Sequence, residues 1–267
     1  MIDTHLHLDD GKFATQVDEC TTLAESIIQS FDRHGIEFVI NNSCDMSTMV
    51  AGVELAKKHE KVFATVGMHP HESKYFNQEF VCAMEKLAKD PKVVAVGEIG
   101  LDYYYDLSDR QTQRDVFAQQ IEIADKLALP LTLHVRDAYG DAWDILRAQK
   151  KHLNNGVLWH CYSGSAEFAR QMVKEDHYFA FGGAITFKNA KKDDVFQQIP
   201  IDRVLSETDS PYMAPEPLRG TVNTPLNIPI IVAKIATHYG KSVEEVEKQI
   251  HDNTLRLFPK IAQYLNK

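Results

Sequence analysis

The sequence predicts an α/β protein: a (β/α)₈ TIM barrel with parallel strands. Three observations carry the prediction. Short apolar runs alternate eight times with amphipathic segments. The 267 residues match the roughly 250 that one such barrel needs. Residues of metal-ligand type fall one at a time at the downstream ends of the apolar runs, as they would on the rim where parallel strands end. An open doubly wound sheet has the same rhythm, but it calls for a glycine-rich phosphate loop after its first strand, and His5-Leu6-His7 stands there instead.

The strand candidates lie near residues 1–6, 36–41, 61–67, 92–97, 130–134, 156–159, 178–182 and 203–206. The first alternates, so His5 and His7 lie on one side and form a two-imidazole clamp. The fourth, Val93 to Gly97, delivers Glu98. The fifth, Leu131-Thr132-Leu133, delivers His134, and the sixth, Val157-Leu158-Trp159, delivers His160. The eighth, Arg203 to Ser206, leads to Asp209. Between the strands, apolar residues recur at helical spacing, as in Phe117, Ile121, Ala124 and Leu127. Pro225 opens a helical stretch reaching about His238, and Ser242-Val243-Glu244-Glu245 reads as a capping box for the last helix. With no linker, low-complexity tract or further repeat, residues 1–267 read as a single hydrolase domain.

A hydrophobic content of 44% and a charged content of 25% are those of an ordinary globular chain. The formal net charge of −9 argues against a protein that coats nucleic acid through many phosphates. It leaves room for a nuclease, because metal ions neutralise their own acidic ligands and hold a single phosphate locally. Cys20, Cys44, Cys82 and Cys161 are scattered without a C-x-x-C pair, so they read as buried or idle thiols, with Cys161 also a neighbour of His160. No basic leader precedes the first strand and no apolar run approaches ~20 residues, which makes the cytoplasm the expected location.

Four histidines and two carboxylates exceed what one tetrahedral zinc needs, so two divalent ions about 3.5–4 Å apart are inferred, with Glu98 as the natural bridge. Water between such ions yields hydroxide near neutral pH, and Asp209 is placed to take its proton. Imidazole-rich ligation suits Zn, Ni, Mn or Fe, whereas Mg would be held weakly. Arg136 is within reach of a phosphate, and Asp102 is a candidate partner for a histidine ligand's second nitrogen. Lys188, Lys191 and Lys192 form either a basic lip or a solvated face, and Tyr103, Tyr104 and Tyr105 either stack on bases or pack a loop onto the rim.

Several motifs together resemble the TatD family of metal-dependent deoxyribonucleases, within the amidohydrolase superfamily. They are Asp3-Thr4-His5-Leu6-His7, Gly67-Met68-His69-Pro70, Val96-Gly97-Glu98-Ile99-Gly100-Leu101-Asp102, Leu133-His134, His160-Cys161-Tyr162-Ser163-Gly164-Ser165 and Glu207-Thr208-Asp209-Ser210-Pro211, with Gly182 to Ala190 as a further family-like segment. The resemblance implies the barrel fold, two divalent ions and phosphodiester hydrolysis, often from a DNA end. It implies that His5, His7, Glu98 and Asp209 hold one ion and that Glu98, His134 and His160 hold the other, with His69 contacting substrate phosphate. The chain departs from the family at Thr221-Val222-Asn223-Thr224-Pro225, where many members carry Arg-Asn-Glu-Pro. The expectation is a two-metal hydrolase, of a divergent subgroup, that cleaves DNA phosphodiesters as an exonuclease, with the catalytic residues Asp209, Glu98 and His69. Its partner would be a transiently bound DNA end, with no membrane and no stable protein partner. The alternative is an amide, ester or lactone hydrolase acting on a small molecule.

Overall fold

The structure, a computed structural model, describes residues 1–18 and 21–266, so Cys20 lies outside the described residues. Eight strands run parallel in sequence order: β1 (Ile2–Leu6), β2 (Phe38–Asn41), β3 (Val62–Val66), β4 (Val93–Asp102), β5 (Leu131–Arg136), β6 (Val157–Trp159), β7 (Tyr178–Phe181) and β8 (Val204–Ser206). Between them run α1 (Leu23–Gln29), α2 (Met46–Lys58), α3 (Gln78–Leu87), α4 (Arg110–Leu127), α5 (Tyr139–Ala148), α6 (Ala166–Val173) and the short α7 (Asp193–Phe196). After β8 come α8 (Ile228–Tyr239), α9 (Val243–Leu257) and α10 (Pro259–Leu265). Ser242 and Glu245 form the predicted capping box at the start of α9. No described helix is long and apolar enough to cross a membrane.

The predicted barrel is present, with two strand ends that differ in a useful way. Glu98 is not at the end of a strand but inside the ten-residue β4, and His134 likewise lies within β5. Gly97 and Gly100 resemble strand breakers in the sequence, yet both are required by close approach. A Cβ on Gly97 would meet Thr132 at 2.6 Å, and one on Gly100, whose φ is +140°, would meet the His134 carbonyl oxygen at 2.1 Å. Bare backbone there lets β4 and β5 pair as far as Asp102 and Arg136. Gly100→Ala is therefore expected to cost about 3 kcal/mol or more in denaturant-derived stability, since it combines a backbone clash with a conformation that side chains avoid.

Two layers of core hold the barrel. Inside, Ile2, Phe38, Ile40, Phe63, Val94, Leu158, Ala180 and Leu205 fill the lower half, and Phe258 and Ile261 from the C-terminal segment join them. A larger cluster packs the outer strand faces against the helices, including Phe117, Ile121 and Ala124 of α4. The seam between β8 and β1 is closed by a parallel bridge, Leu6 to Ser210, and by two hydroxyls. Thr4 donates to the Ser206 carbonyl at 3.0 Å and Ser206 to the Ile2 carbonyl at 2.8 Å. With the lower end plugged by apolar side chains, polar chemistry is confined to the upper rim.

Candidate metal centre

Six of the seven predicted site residues, His7, His69, Glu98, His134, His160 and Asp209, line one cavity of about 510 Å³ at the upper rim. The seventh, His5, lies fully buried beside them. Alternation along β1 turns His5 and His7 inward together, as expected. His160 and Asp209 sit just past their strands but are still tied to the ladder, His160 N–H to the Leu133 carbonyl at 3.1 Å and Asp209 N–H to the His5 carbonyl at 2.9 Å. Asp209 adopts the left-handed region, φ 57°, which Asp tolerates better than most residues. The backbone of Glu98 is anchored across the rim by its N–H to the Ser43 carbonyl at 2.9 Å.

The two oxygens of Glu98 face two different groups of candidate ligands. Oε2 lies 3.4 Å from His5 Nε2 and 3.7 Å from His7 Nε2. Oε1 lies 2.9 Å from His134 Nδ1, 3.5 Å from His160 Nε2 and 3.7 Å from His69 Nε2. Asp209 Oδ1 stands on the first side, 3.6 Å from His7 Nε2 and 4.0 Å from His5 Nε2. The ligand atoms of His5, His7 and Asp209 all lie within 4.8 Å of one another, and so do those of Glu98, His134 and His160. Neither ring nitrogen of His5 has a hydrogen-bond partner although both are buried, an arrangement that a polar side chain avoids unless a cation satisfies it. These residues fit divalent metal ions.

The surrounding groups orient the imidazoles. Glu207, fully buried, accepts from His160 Nδ1 at 2.9 Å and from the Cys161 N–H at 2.6 Å, which leaves Nε2 of His160 facing Glu98. Asp102 Oδ2 takes His134 Nε2 at 3.0 Å and His71 Nε2 at 2.8 Å, confirming the expected role beside a histidine and adding His71, which the sequence did not single out. The Asn42 carbonyl lies 3.0 Å from His7 Nδ1. Two buried glutamines on one face of α4 support these loops from behind. Gln113 accepts the Asp102 N–H at 2.8 Å, and Gln120 clasps Met68, accepting its N–H at 2.8 Å and donating to its carbonyl at 3.0 Å. His69 follows directly, and its Nδ1 accepts the His71 N–H at 3.2 Å, so a neutral ring carries its proton on Nε2, toward Glu98.

The same residues set one another's charge. Burial alone would raise the Glu98 carboxyl, but the surrounding imidazoles, His160 foremost among those that carry charge, and the hydrogen bond from His134 outweigh it and hold Glu98 well below the usual carboxylate range. Burial likewise opposes ionisation of Asp209, and His7, His160 and His5 overcome it. Burial, reinforced by His134, pushes His69 well below the ordinary imidazole value and keeps it neutral. Burial disfavours a charge on His160, yet Glu207 and Glu98 raise it to about 9. Such imidazoles release protons on ligating a cation, so affinity for metal rises with pH.

The remaining candidates separate clearly. Arg136 and Tyr105 line the cavity. Tyr103 packs down instead, donating to Asp141 at 2.7 Å within a cluster that includes Arg114. Lys188, Lys191 and Lys192 are not among the cavity-lining residues, and Lys192 donates to the Ser163 carbonyl at 3.0 Å, so they form no basic lip there. Cys44, read as an idle thiol, lines the cavity with its sulfur 4.0 Å from His7 Nδ1, while Cys161 enters through its backbone. In the divergent segment, Asn223 is buried and its amide donates to the Thr208 and Tyr212 carbonyls at 2.8 and 2.7 Å, holding the loop that carries Asp209.

Comparison with known proteins agrees with the geometry. The family described as TatD related DNase matches residues 2–259. The uncharacterized metal-dependent hydrolase YabD of Bacillus subtilis is 35% identical over 97% of this chain and 98% of its own length. A protein of Cronobacter sakazakii named 3'-5' ssDNA/RNA exonuclease TatD is 29% identical over 98% of this chain and 99% of its own. Among solved structures, the TatD homologue YJJV of Escherichia coli K12 superposes with a TM-score of 0.86 at 26% identity, covering 97% of this chain and 98% of that one.

Proposed function

The chain belongs to the TatD-related DNase family of metal-dependent hydrolases, and from that membership we propose that it hydrolyses phosphodiester bonds of DNA, removing nucleotides from a single-stranded 3′ end. The observation that carries the reading is the division of Glu98, with Oε2 toward His5 and His7 and Oε1 toward His134 and His160. In this reading His5, His7, Glu98 and Asp209 would hold one divalent ion, and Glu98, His134 and His160 would hold a second. When bound, such ions supply Lewis acidity, lowering the pKa of a water and drawing charge from the phosphoryl oxygens.

The protein's own groups do the rest. Asp209, ionised at neutral pH, accepts the proton of the attacking water. His69, neutral and with Nε2 as donor, presents a hydrogen bond to a phosphoryl oxygen as negative charge grows on it. Glu207 and Asp102 fix the rings of His160 and His134 so that neither turns away. The cavity is open at the rim and lined by Tyr105 and Tyr212, which suits a strand end entering from above.

The direct test is release of mononucleotides from 5′- and 3′-labelled single-stranded DNA, with Mg²⁺, Mn²⁺ or Zn²⁺ added. Metal-dependent, stepwise release from the 3′ end is expected. No release from protein shown to contain its metal ions would overturn the nuclease reading and favour the small-molecule amide, ester or lactone substrate, which the same ions polarise equally well.

A further inference from the structure

Arg136 is unlike its neighbours on the rim. It is the one Arg or Lys among the described residues lining the cavity, and the carboxylates of Asp45, Glu72, Glu98 and Asp209 share that wall. Its guanidinium nevertheless makes no ion pair, and among the described residues nothing accepts a hydrogen bond from it. Instead it lies on two aromatic faces, 3.9 Å from the ring centre of Tyr104 and 4.9 Å from that of Tyr105. The two tyrosines meet edge to face at 4.9 Å, and Tyr105 in turn meets His71 at 5.4 Å. Their backbone is fixed too, since the N–H groups of Tyr104 and Tyr105 both donate to Asp102 Oδ1 at 2.9 Å. An arginine stacked in this way keeps its donor fork in a set direction and leaves all of it available to an anion.

We infer that Arg136, held by Tyr104 and Tyr105, is the subsite for the phosphate next to the one being cleaved. The inference rests on the phosphodiester reading above. Arg136 lies two residues beyond His134 on β5, and therefore on the same strand face and about 6–7 Å nearer the rim. That step is comparable with the spacing of neighbouring phosphates in a nucleic-acid strand. With the scissile group at Glu98 and Asp209, the next phosphate falls at the guanidinium. The site then prefers a chain of at least two phosphates to an isolated phosphodiester.

The test compares two substrates: a single-stranded dodecathymidylate and the p-nitrophenyl ester of thymidine 5′-monophosphate, which has no neighbouring phosphate. Arg136→Gln is expected to lower kcat/KM on the strand roughly 10- to 100-fold, mostly through KM, and at most a few-fold on the ester. Arg136→Lys recovers part of the loss, and Tyr104→Leu, which leaves the charge but not its support, gives an intermediate loss on the strand alone. The dependence of log KM for the strand on log salt flattens by about 0.7 in Arg136→Gln, as removal of one phosphate contact requires. Equal losses on both substrates, or none on the strand with an unchanged salt slope, would overturn the subsite. If wild-type protein with its metal ions turns over the ester but never the strand, the nuclease reading itself falls and takes the subsite with it.

Discussion

If Glu98 serves both ions as proposed, Glu98→Gln is expected to reduce nucleotide release by at least about 10³-fold while the protein stays folded, since several kcal/mol of transition-state stabilisation would then depend on both carboxylate oxygens. Glutamine keeps the shape of the side chain but exchanges one acceptor oxygen for an NH₂ group that cannot ligate. One of the two facing groups, His5 with His7 or His134 with His160, then loses its shared oxygen. The checks are the initial rate on labelled DNA, metal content by mass spectrometry and the circular dichroism melting curve. A variant that retains full metal content and more than about a few per cent of the wild-type rate would show that Glu98 does not bridge.

Asp209→Asn is expected to cost about 10²- to 10⁴-fold in kcat. Asn is the suitable replacement, since it also tolerates the φ of 57° found there. Without a carboxylate to take the proton, solvent hydroxide must do so, and log kcat should climb with a slope near one over the pH range in which the wild type is flat. A flat profile in the variant, or a rate loss fully explained by lost metal, would assign Asp209 to ligation alone.

Much of this centre was legible because the β/α rhythm and the alternation of strands are local properties. His5 and His7 reveal their common side by being two apart in a strand, and the barrel prediction then places Glu98, His134, His160 and Asp209 on one rim. The same rule applies to Glu207 and Asp209, also two apart just past the end of a strand, and Glu207 proves to be the partner of His160. Gln113 and Gln120 were illegible for a different reason. Polar residues on a helix ordinarily face water, and only the tertiary packing of α4 against the β3 and β4 loops makes their amides substitutes for backbone pairing. The length of β4 was hidden because glycine reads as a breaker wherever the neighbouring strand cannot be seen.

The seam joining β1 to β8 has a consequence for how activity arises in time. Hydrogen bonds there link residues 204 positions apart, and the His5 carbonyl itself receives the Asp209 N–H. Contacts of such sequence separation carry the loop-closure entropy of about three quarters of the chain and are slow to form. Under the assignment proposed above, Asp209 joins His5 and His7 only when this seam closes, so the centre is complete only after the first and last strands of the barrel have met.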